Sequence, residues 1–119
     1  MEISLLELDQ ELSETKNELA QVRDRLNSIT KQYHDTMQEY KKEYAIAYLE
    51  AKNEGRTNGE CEMIAQKKTA ELQARYKSMK EHEKNERKAV DSLIEKAELL
   101  RSLYSRAQKE EEQYYRKGK

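Results

Sequence analysis

Apolar residues recur along most of this chain at alternating intervals of three and four residues, which is the spacing of a helix that packs on another helix. The pattern is most apolar from Val90 to Ala107 and is polar at Glu83 and Glu86. It predicts a long helix whose apolar face must be covered by a neighbour. The two sets of core positions are Leu72, Met79, Glu86, Leu93, Leu100, Ala107, Tyr114 and Thr69, Tyr76, Glu83, Val90, Ala97, Tyr104, Glu111.

The first half of the chain carries a similar pattern, which begins directly after a helix start signal. Ser4 and Glu7 have the spacing of a capping box, in which two side chains satisfy free amides at a helix N-terminus. Beyond Tyr33 the best apolar phase shifts by four residues, a stutter that locally unwinds a supercoil. The core positions are Leu5, Leu8, Leu12, Thr15, Leu19, Val22, Leu26, Ile29 and Tyr33, followed by Met37, Tyr40, Tyr44, Ala47 and Ala51.

A break between the two halves predicts a tight turn. Gly55 suits the left-handed position after a helix, and Thr57 with Glu60 forms a second capping box. A connection this short normally joins antiparallel helices. We therefore predict a first arm over 1–54, a turn over 55–59 and a second arm over 60–119, as one structural unit. A single continuous, locally weakened helix is the alternative.

In this hairpin, residue i faces residue 114 − i. Tyr40 then lies beside Ala74, and Lys31 lies where it can pair with Glu83 or Glu86. The absence of proline and the 39% of charged residues also favour long helices over a loop-rich or β-rich fold. The predicted fold class is all-α: two long helices that form an antiparallel coiled-coil hairpin.

The net charge of −1 hides an uneven distribution, with −5 on residues 1–54 and +4 on residues 55–119, so the two arms can attract each other. Cys61 is the only cysteine, so no internal disulfide can form. The chain shows no signal peptide and no run of about 18 apolar residues, the length of a membrane span. These features predict a cytoplasmic protein that does not enter a membrane.

No catalytic motif is present, because a phosphate-binding glycine loop, a C-x-x-C pair and a nucleophile elbow are all missing. His82 and Glu86 are spaced to share a metal ion but lack a third ligand. We therefore expect no enzyme activity, no cofactor and no metal site.

Two surfaces are candidates for binding. Tyrosine and exposed apolar residues are typical of protein interfaces, and an apolar excess beyond one stripe predicts a protein partner or a homodimer. The predicted partner-binding residues are Tyr40, Tyr44, Tyr48, Ile94, Leu99, Leu100, Leu103 and Tyr104.

The second candidate is a basic stretch formed by Lys77, Lys80, Lys84 and Arg87, which could follow a phosphate backbone. In the hairpin it lies opposite residues 26–47, which include Asp35, Glu39 and Glu43. We expect these acids to neutralise much of the basic charge, so that nucleic acid binds weakly at most.

Three segments resemble a known group of proteins: Tyr44–Tyr48, then Thr57 with Glu60, then Leu100–Gln108. They are similar to small coiled-coil proteins that bacteriophages encode, often beside single-strand-binding and recombination genes. The resemblance covers roughly residues 40–110. It implies an accessory protein in the host cytoplasm that acts on DNA-processing machinery, either as an inhibitor of a host defence nuclease of the anti-CRISPR kind or as a recombination accessory. A purely structural coiled-coil spacer is a third possibility.

Overall fold

The structure, a computed structural model, describes residues 4–117. Over this range the chain forms three helices and no strand: α1 (Leu5–Asn53), α2 (Asn58–Lys68) and α3 (Ala70–Lys117). The all-α class is therefore confirmed. The outermost residues of the two predicted arms, 1–3 and 118–119, lie outside the described range.

The second arm was predicted as one helix, and this is wrong because it is divided at Thr69. The backbone there has φ −108° and ψ 11°. The Thr69 hydroxyl donates to the Ala65 carbonyl at 2.6 Å, and the Thr69 N–H donates to the same oxygen at 3.1 Å. A threonine that bonds back to the preceding turn in this way tends to bend a helix. Because the Gln73 N–H still donates to the Thr69 carbonyl at 2.9 Å, Thr69 is a local distortion and not a turn.

α1 starts and ends with the local hydrogen bonds that its sequence predicts. At its start the Glu7 N–H donates to Ser4 Oγ at 3.2 Å. At its end Gly55 has a φ of 83°, and its N–H donates to the Lys52 carbonyl at 3.0 Å. The Arg56 N–H donates to the Ala51 carbonyl at 3.2 Å. These two bonds form a Schellman motif, which terminates α1 and excludes a continuous helix.

The second capping box is also present. The Glu60 N–H donates to Thr57 Oγ1 at 3.2 Å, and the Thr57 N–H donates to Glu60 Oε1 at 3.3 Å. These hydrogen bonds hold the pKa of Glu60 below its ordinary value, the Thr57 N–H contributing most and Arg56 next. The predicted turn over 55–59 is too long at its C-terminal end, because Asn58 already belongs to α2.

Burial follows most of the predicted core positions. Leu8, Thr15 and Val22 are buried on the first phase, and Ala47 and Ala51 on the second, but Thr36 is buried as well, and its hydroxyl donates to Met79 Sδ at 3.4 Å. Thr36 lies seven residues after Ile29 and continues the first phase, so the predicted shift is present but lies after Thr36 and not at Tyr33. In the second half of the chain, the buried residues are Cys61, Ala65, Thr69, Val90, Ala97 and Leu100.

The chain divides into two compact units. The turn unit is Leu26–Asn85, and the end unit joins the chain up to Arg25 with the chain from Glu86 onward. In the turn unit, the Tyr40 and Tyr76 rings lie 5.2 Å apart between centroids. The predicted neighbour of Tyr40, Ala74, is only two residues away from Tyr76. Lys68 Nζ also lies 3.8 Å from Glu50 Oε2, so α1 contacts both α2 and α3 within this unit.

In the end unit, Arg25 Nε lies 3.8 Å from Glu86 Oε1. This ion pair on Glu86 comes from Arg25, almost two turns before Lys31 in α1, and the pairing of Lys31 with a core glutamate stays a prediction. The Glu86 side chain is only 17% exposed, whereas that of Arg25 is 57% exposed. Leu8 and Leu100 line a common depression on this unit, so α1 and α3 are also neighbours here.

We expect Glu86→Leu to stabilise the protein. Glu86 occupies a core position, and replacing a buried ion pair by packed hydrophobic side chains is often neutral or stabilising by about 1–4 kcal/mol, whereas removing one partner destabilises only if the other charge is left buried. Arg25 remains solvated after the change because it is more than half exposed. A gain near 1 kcal/mol would raise the midpoint of thermal unfolding by roughly 4 °C. Circular dichroism melts of both proteins measure this midpoint.

The control is Glu95→Leu, which adds the same side chain at an exposed position of α3. This variant should leave the midpoint nearly unchanged. A lower midpoint for Glu86→Leu than for the unmodified protein would show that the Arg25–Glu86 pair is a net stabilising interaction.

Candidate functional site

Tyrosine rings from α1 and α3 pack together in the turn unit. The Tyr76 ring lies 5.2 Å from Tyr40 and 6.3 Å from Tyr33, and Tyr40 lies 6.0 Å from Tyr44. Aromatic pairs at these separations add to the stability that burial provides. Tyr40 was predicted as a partner-binding residue, but its ring is used largely for packing inside the unit.

Tyr44 and Tyr48 lie further toward the turn and are half-buried. The Tyr48 hydroxyl donates to Asn58 Oδ1 at 3.2 Å, and Lys52 Nζ donates to the same oxygen at 3.3 Å. Partial burial raises the pKa of Tyr44 above its ordinary value, and the nearby Glu62 carboxylate raises it further. Both side chains are therefore partly covered by the unit and partly exposed to solvent.

The apolar residues that are most exposed in this part of α1 were not among the predicted site residues. Ile46 is 40% exposed and Leu49 is 60% exposed. They lie off the core positions, so an analysis of core spacing passes over them. The available signal was the run Tyr44–Leu49, which consists only of apolar and aromatic residues. One turn of α1 is therefore apolar on all sides, including the side that faces away from the core.

The predicted residues of the end unit do not form one surface. Leu100 is only 8% exposed and belongs to the core, so its assignment to a partner-binding surface is wrong. Ile94 and Leu103 are both half-buried, but they are nine residues apart. Nine residues correspond to a rotation of about 900° around the helix axis, or about two and a half turns, so the two side chains lie on opposite flanks. Leu99, which is 61% exposed, lies on the Leu103 flank. The remaining predicted residue, Tyr104, is half-buried at a core position.

The predicted nucleic-acid residues Lys77, Lys80, Lys84 and Arg87 are all exposed. Their spacing of three, four and three residues places them along one flank of α3. Lys77, Lys80 and Lys84 belong to the turn unit, and Arg87 belongs to the end unit.

The acids of α1 that were expected to neutralise this basic flank lie on the other side of α1. Glu50 pairs with Lys68, and Glu43 lies seven residues before Glu50, on the same side of α1. On the facing helix, Arg75 lies seven residues after Lys68, whereas Lys77 lies two residues after Arg75 and is rotated by about 200°. The acids of α1 therefore lie beside Lys68 and Arg75, and Lys77 is on the opposite flank.

Other candidate chemistry is limited in the part of the chain that the structure describes. Cys61 is fully buried, and its thiol donates to the Arg56 carbonyl at 3.8 Å. No group of three potential metal-ligating side chains occurs among residues 4–117. None of the helices in that range is long and apolar enough to cross a membrane.

Comparison with known proteins gives no further guide to these surfaces. No protein-family model matches the chain, and no similar protein is found among curated proteins or among solved structures.

The raised pKa of Tyr44 predicts a late component in the alkaline titration of the tyrosines. A raised pKa means that folding favours the protonated phenol, so this contribution to stability is present below pH 10, the ordinary pKa, and is lost as the pH rises through the folded-state pKa. Tyrosinate absorbance measured from neutral to strongly alkaline pH should show this component. Tyr44→Phe should remove it.

The matched control is Tyr114→Phe, at a ring that is 77% exposed and remote in sequence. This variant must leave the late component in place. If Tyr44→Phe instead removes absorbance only from the earliest part of the curve, the environment assigned to Tyr44 is incorrect.

Proposed function

We propose that this chain is a non-enzymatic helical protein that acts by binding another protein. The observation that carries the proposal is the apolar outer face of α1 around Ile46 and Leu49. In a chain with 39% charged residues, exposed aliphatic side chains at adjacent positions are unusual and are typical of an interface. The flanking Tyr44 and Tyr48 add side chains that protein interfaces favour.

We further propose that the two arms pack as an antiparallel coiled-coil hairpin. The Schellman motif followed by a capping box supports this, because it ends one helix and begins the next within four residues. The contacts Tyr40–Tyr76 and Glu50–Lys68 in the turn unit, and Arg25–Glu86 in the end unit, each join α1 to the second arm. Such a hairpin presents the Ile46–Leu49 face on the outside of its first helix.

The resemblance to phage-encoded coiled-coil proteins supports a specific kind of partner, namely the enzymes that process DNA. An inhibitor of this kind occupies a surface of a host nuclease and blocks it without chemistry of its own. Binding through a few apolar anchors suits that role, because a small number of buried side chains supply most of the affinity of an interface.

Site-specific photo-crosslinking tests this proposal. A benzophenone amino acid is placed at Leu49 or at Gln38, which lies eleven residues earlier and thus about three turns away on the same outer face. In the host cell, we expect a discrete adduct with another protein from position 49 and none from position 38. A benzophenone at Ile46 should give the same adduct, and adding Leu49→Asp to that variant should abolish it.

The identity of the adduct then distinguishes the possible roles. A nuclease supports inhibition, and an annealing or single-strand-binding protein supports a recombination accessory. Adducts only with further copies of this chain, or equal adducts from both positions, would contradict the proposal and favour a structural spacer.

Self-association is a separate part of the proposal, and Leu99 with Leu103 supports it. The two leucines lie one turn apart on the same flank of α3, and Leu99 is 61% exposed. We expect sedimentation equilibrium to show a homodimer that Leu99→Asp converts to monomer. Ser102→Asp, at another exposed position, is the control and should remain dimeric. If the unmodified protein is a monomer, this flank is a binding surface for a different protein.

A further inference from the structure

The turn unit separates its charges between two flanks. We define the acidic side as the flank that carries the Glu50–Lys68 ion pair. We define the basic side as the flank that carries the hydrogen bond from Tyr48 to Asn58. These two contacts show directly which side of α1 adjoins which side of the second arm. Seven-residue spacing then assigns the other charged positions, because it returns to nearly the same side of a helix.

The carboxylates of α1 in this unit lie on the acidic side. Glu43 is seven residues before Glu50, and Glu39 and Asp35 precede Glu43 in steps of four. They face a row on the second arm that begins at Lys68, the partner of Glu50 in the ion pair. This facing row consists of Lys68, Arg75 and His82. The acidic side thus compensates its own charges.

The basic side collects cationic residues from both arms. On α1, Lys41 and His34 lie seven and fourteen residues before Tyr48 and are exposed. On α3, the side carries exposed Lys77, Lys80 and Lys84. None of the carboxylates of α1 between residues 26 and 53 lies on this side.

Three carboxylates of the second arm come nearest to this row, and one of them, the half-buried Glu83, lies one turn after Lys80 at a core position. Glu81 lies toward the back of α3, between Lys80 and Lys84 in sequence, and Glu62 lies beside Tyr44 near the turn. Glu62 is fifteen residues before Lys77, which corresponds to about 22 Å along a helix. The lysine row is therefore offset by Glu81 and Glu83 of its own helix but by no carboxylate of α1, and Lys41 adds a further cation from α1.

We propose that the basic side of the turn unit binds the phosphate backbone of nucleic acid. Nucleic-acid affinity requires uncompensated cations, which release the counterions condensed on the phosphates. The row Lys77, Lys80 and Lys84 extends for about 10 Å along α3, and Lys41 widens it from the facing helix. A basic row along one helix face is a typical electrostatic footprint of a nucleic-acid-binding protein.

The composition of the basic side favours nucleic acid over an acidic polypeptide. A docked polypeptide needs buried apolar anchors for affinity. The large apolar side chains that are exposed in this unit, Ile46, Leu49 and Met63, lie on other faces of α1 and α2. Backbone phosphates, by contrast, need only positive charge and bind without regard to sequence.

The same charge count sets the expected strength. Contact with three to five phosphates predicts that the logarithm of the binding constant falls with the logarithm of salt concentration with a slope of about −2.7 to −4.5 for a duplex. Binding is then readily measured at low salt and weak near physiological salt. This agrees with the weak affinity expected from the sequence, although the reason is the small number of cations and not neutralisation by the acids of α1.

Fluorescence anisotropy tests the proposal with a labelled 20-nucleotide single strand and a 20-base-pair duplex, titrated at several salt concentrations. The variant Lys77→Gln/Lys80→Gln/Lys84→Gln removes the row. The control Lys67→Gln/Lys68→Gln/Arg75→Gln removes the same charge from other exposed positions of the unit. We expect the first variant to lose at least tenfold in affinity at low salt and its salt slope to fall by about 2 to 3.

The control should retain most of the affinity, and Glu81→Gln should increase it. Circular dichroism confirms that each variant is folded. Equal losses in the two triple variants, or no binding by the unmodified protein at low salt, would overturn the proposal. If polyglutamate binds as tightly as the single strand, the basic side is a binding surface for an acidic protein. Leu49→Asp should leave nucleic-acid binding unchanged, so this proposal can fail or succeed independently of the protein partner.

Discussion

Each arm is charged almost everywhere except along a narrow apolar stripe, and the structure depends on the burial of that stripe. Each arm has only its core positions to bury, so the arms must turn those positions toward each other wherever they pack. This fixes the flanks as well as the core, because every other residue takes its direction from the stripe. The placement of Glu50 beside Lys68, and of Lys77 on the opposite flank, follows from that single constraint.

Much of the fold was predictable from the sequence because the relevant interactions are local. Capping boxes and the left-handed glycine depend on residues within one or two turns. The left-handed Gly55 and the capping box at Thr57 are present as predicted, and at Ser4 the hydroxyl accepts from the Glu7 N–H, which is half of the first capping box. Thr69 is different. Its hydroxyl bond to Ala65 is also local, but Thr15 makes the same bond to the Glu11 carbonyl without interrupting α1, so the residue type does not predict the break, and the core spacing continues through it.

The candidate site was predicted less well, because the direction in which each side chain points around the helix axis was not taken into account. Ile94 and Leu103 were grouped because both are apolar, although nine residues place them on opposite flanks. Asp35 and Glu39 were assumed to face the lysines because they lie at a similar height, although they lie on the other side of α1. Leu49 was missed because a search for core spacing ignores the outer face. Height along a helix is easily obtained from sequence, but the direction of a side chain requires a contact that identifies each side.

The turn at the end of α1 also has a consequence for how the chain folds. Its hydrogen bonds join residues at most five apart, so they form with little loss of chain entropy. Once it is formed, the pair Glu50–Lys68 closes a loop of only 18 residues in sequence, Tyr40–Tyr76 one of 36, and Arg25–Glu86 one of 61. Each pair shortens the loop that the next must close. We therefore expect folding to start at Gly55 and to proceed outward, with the rate governed by local contacts and not by a search for distant ones.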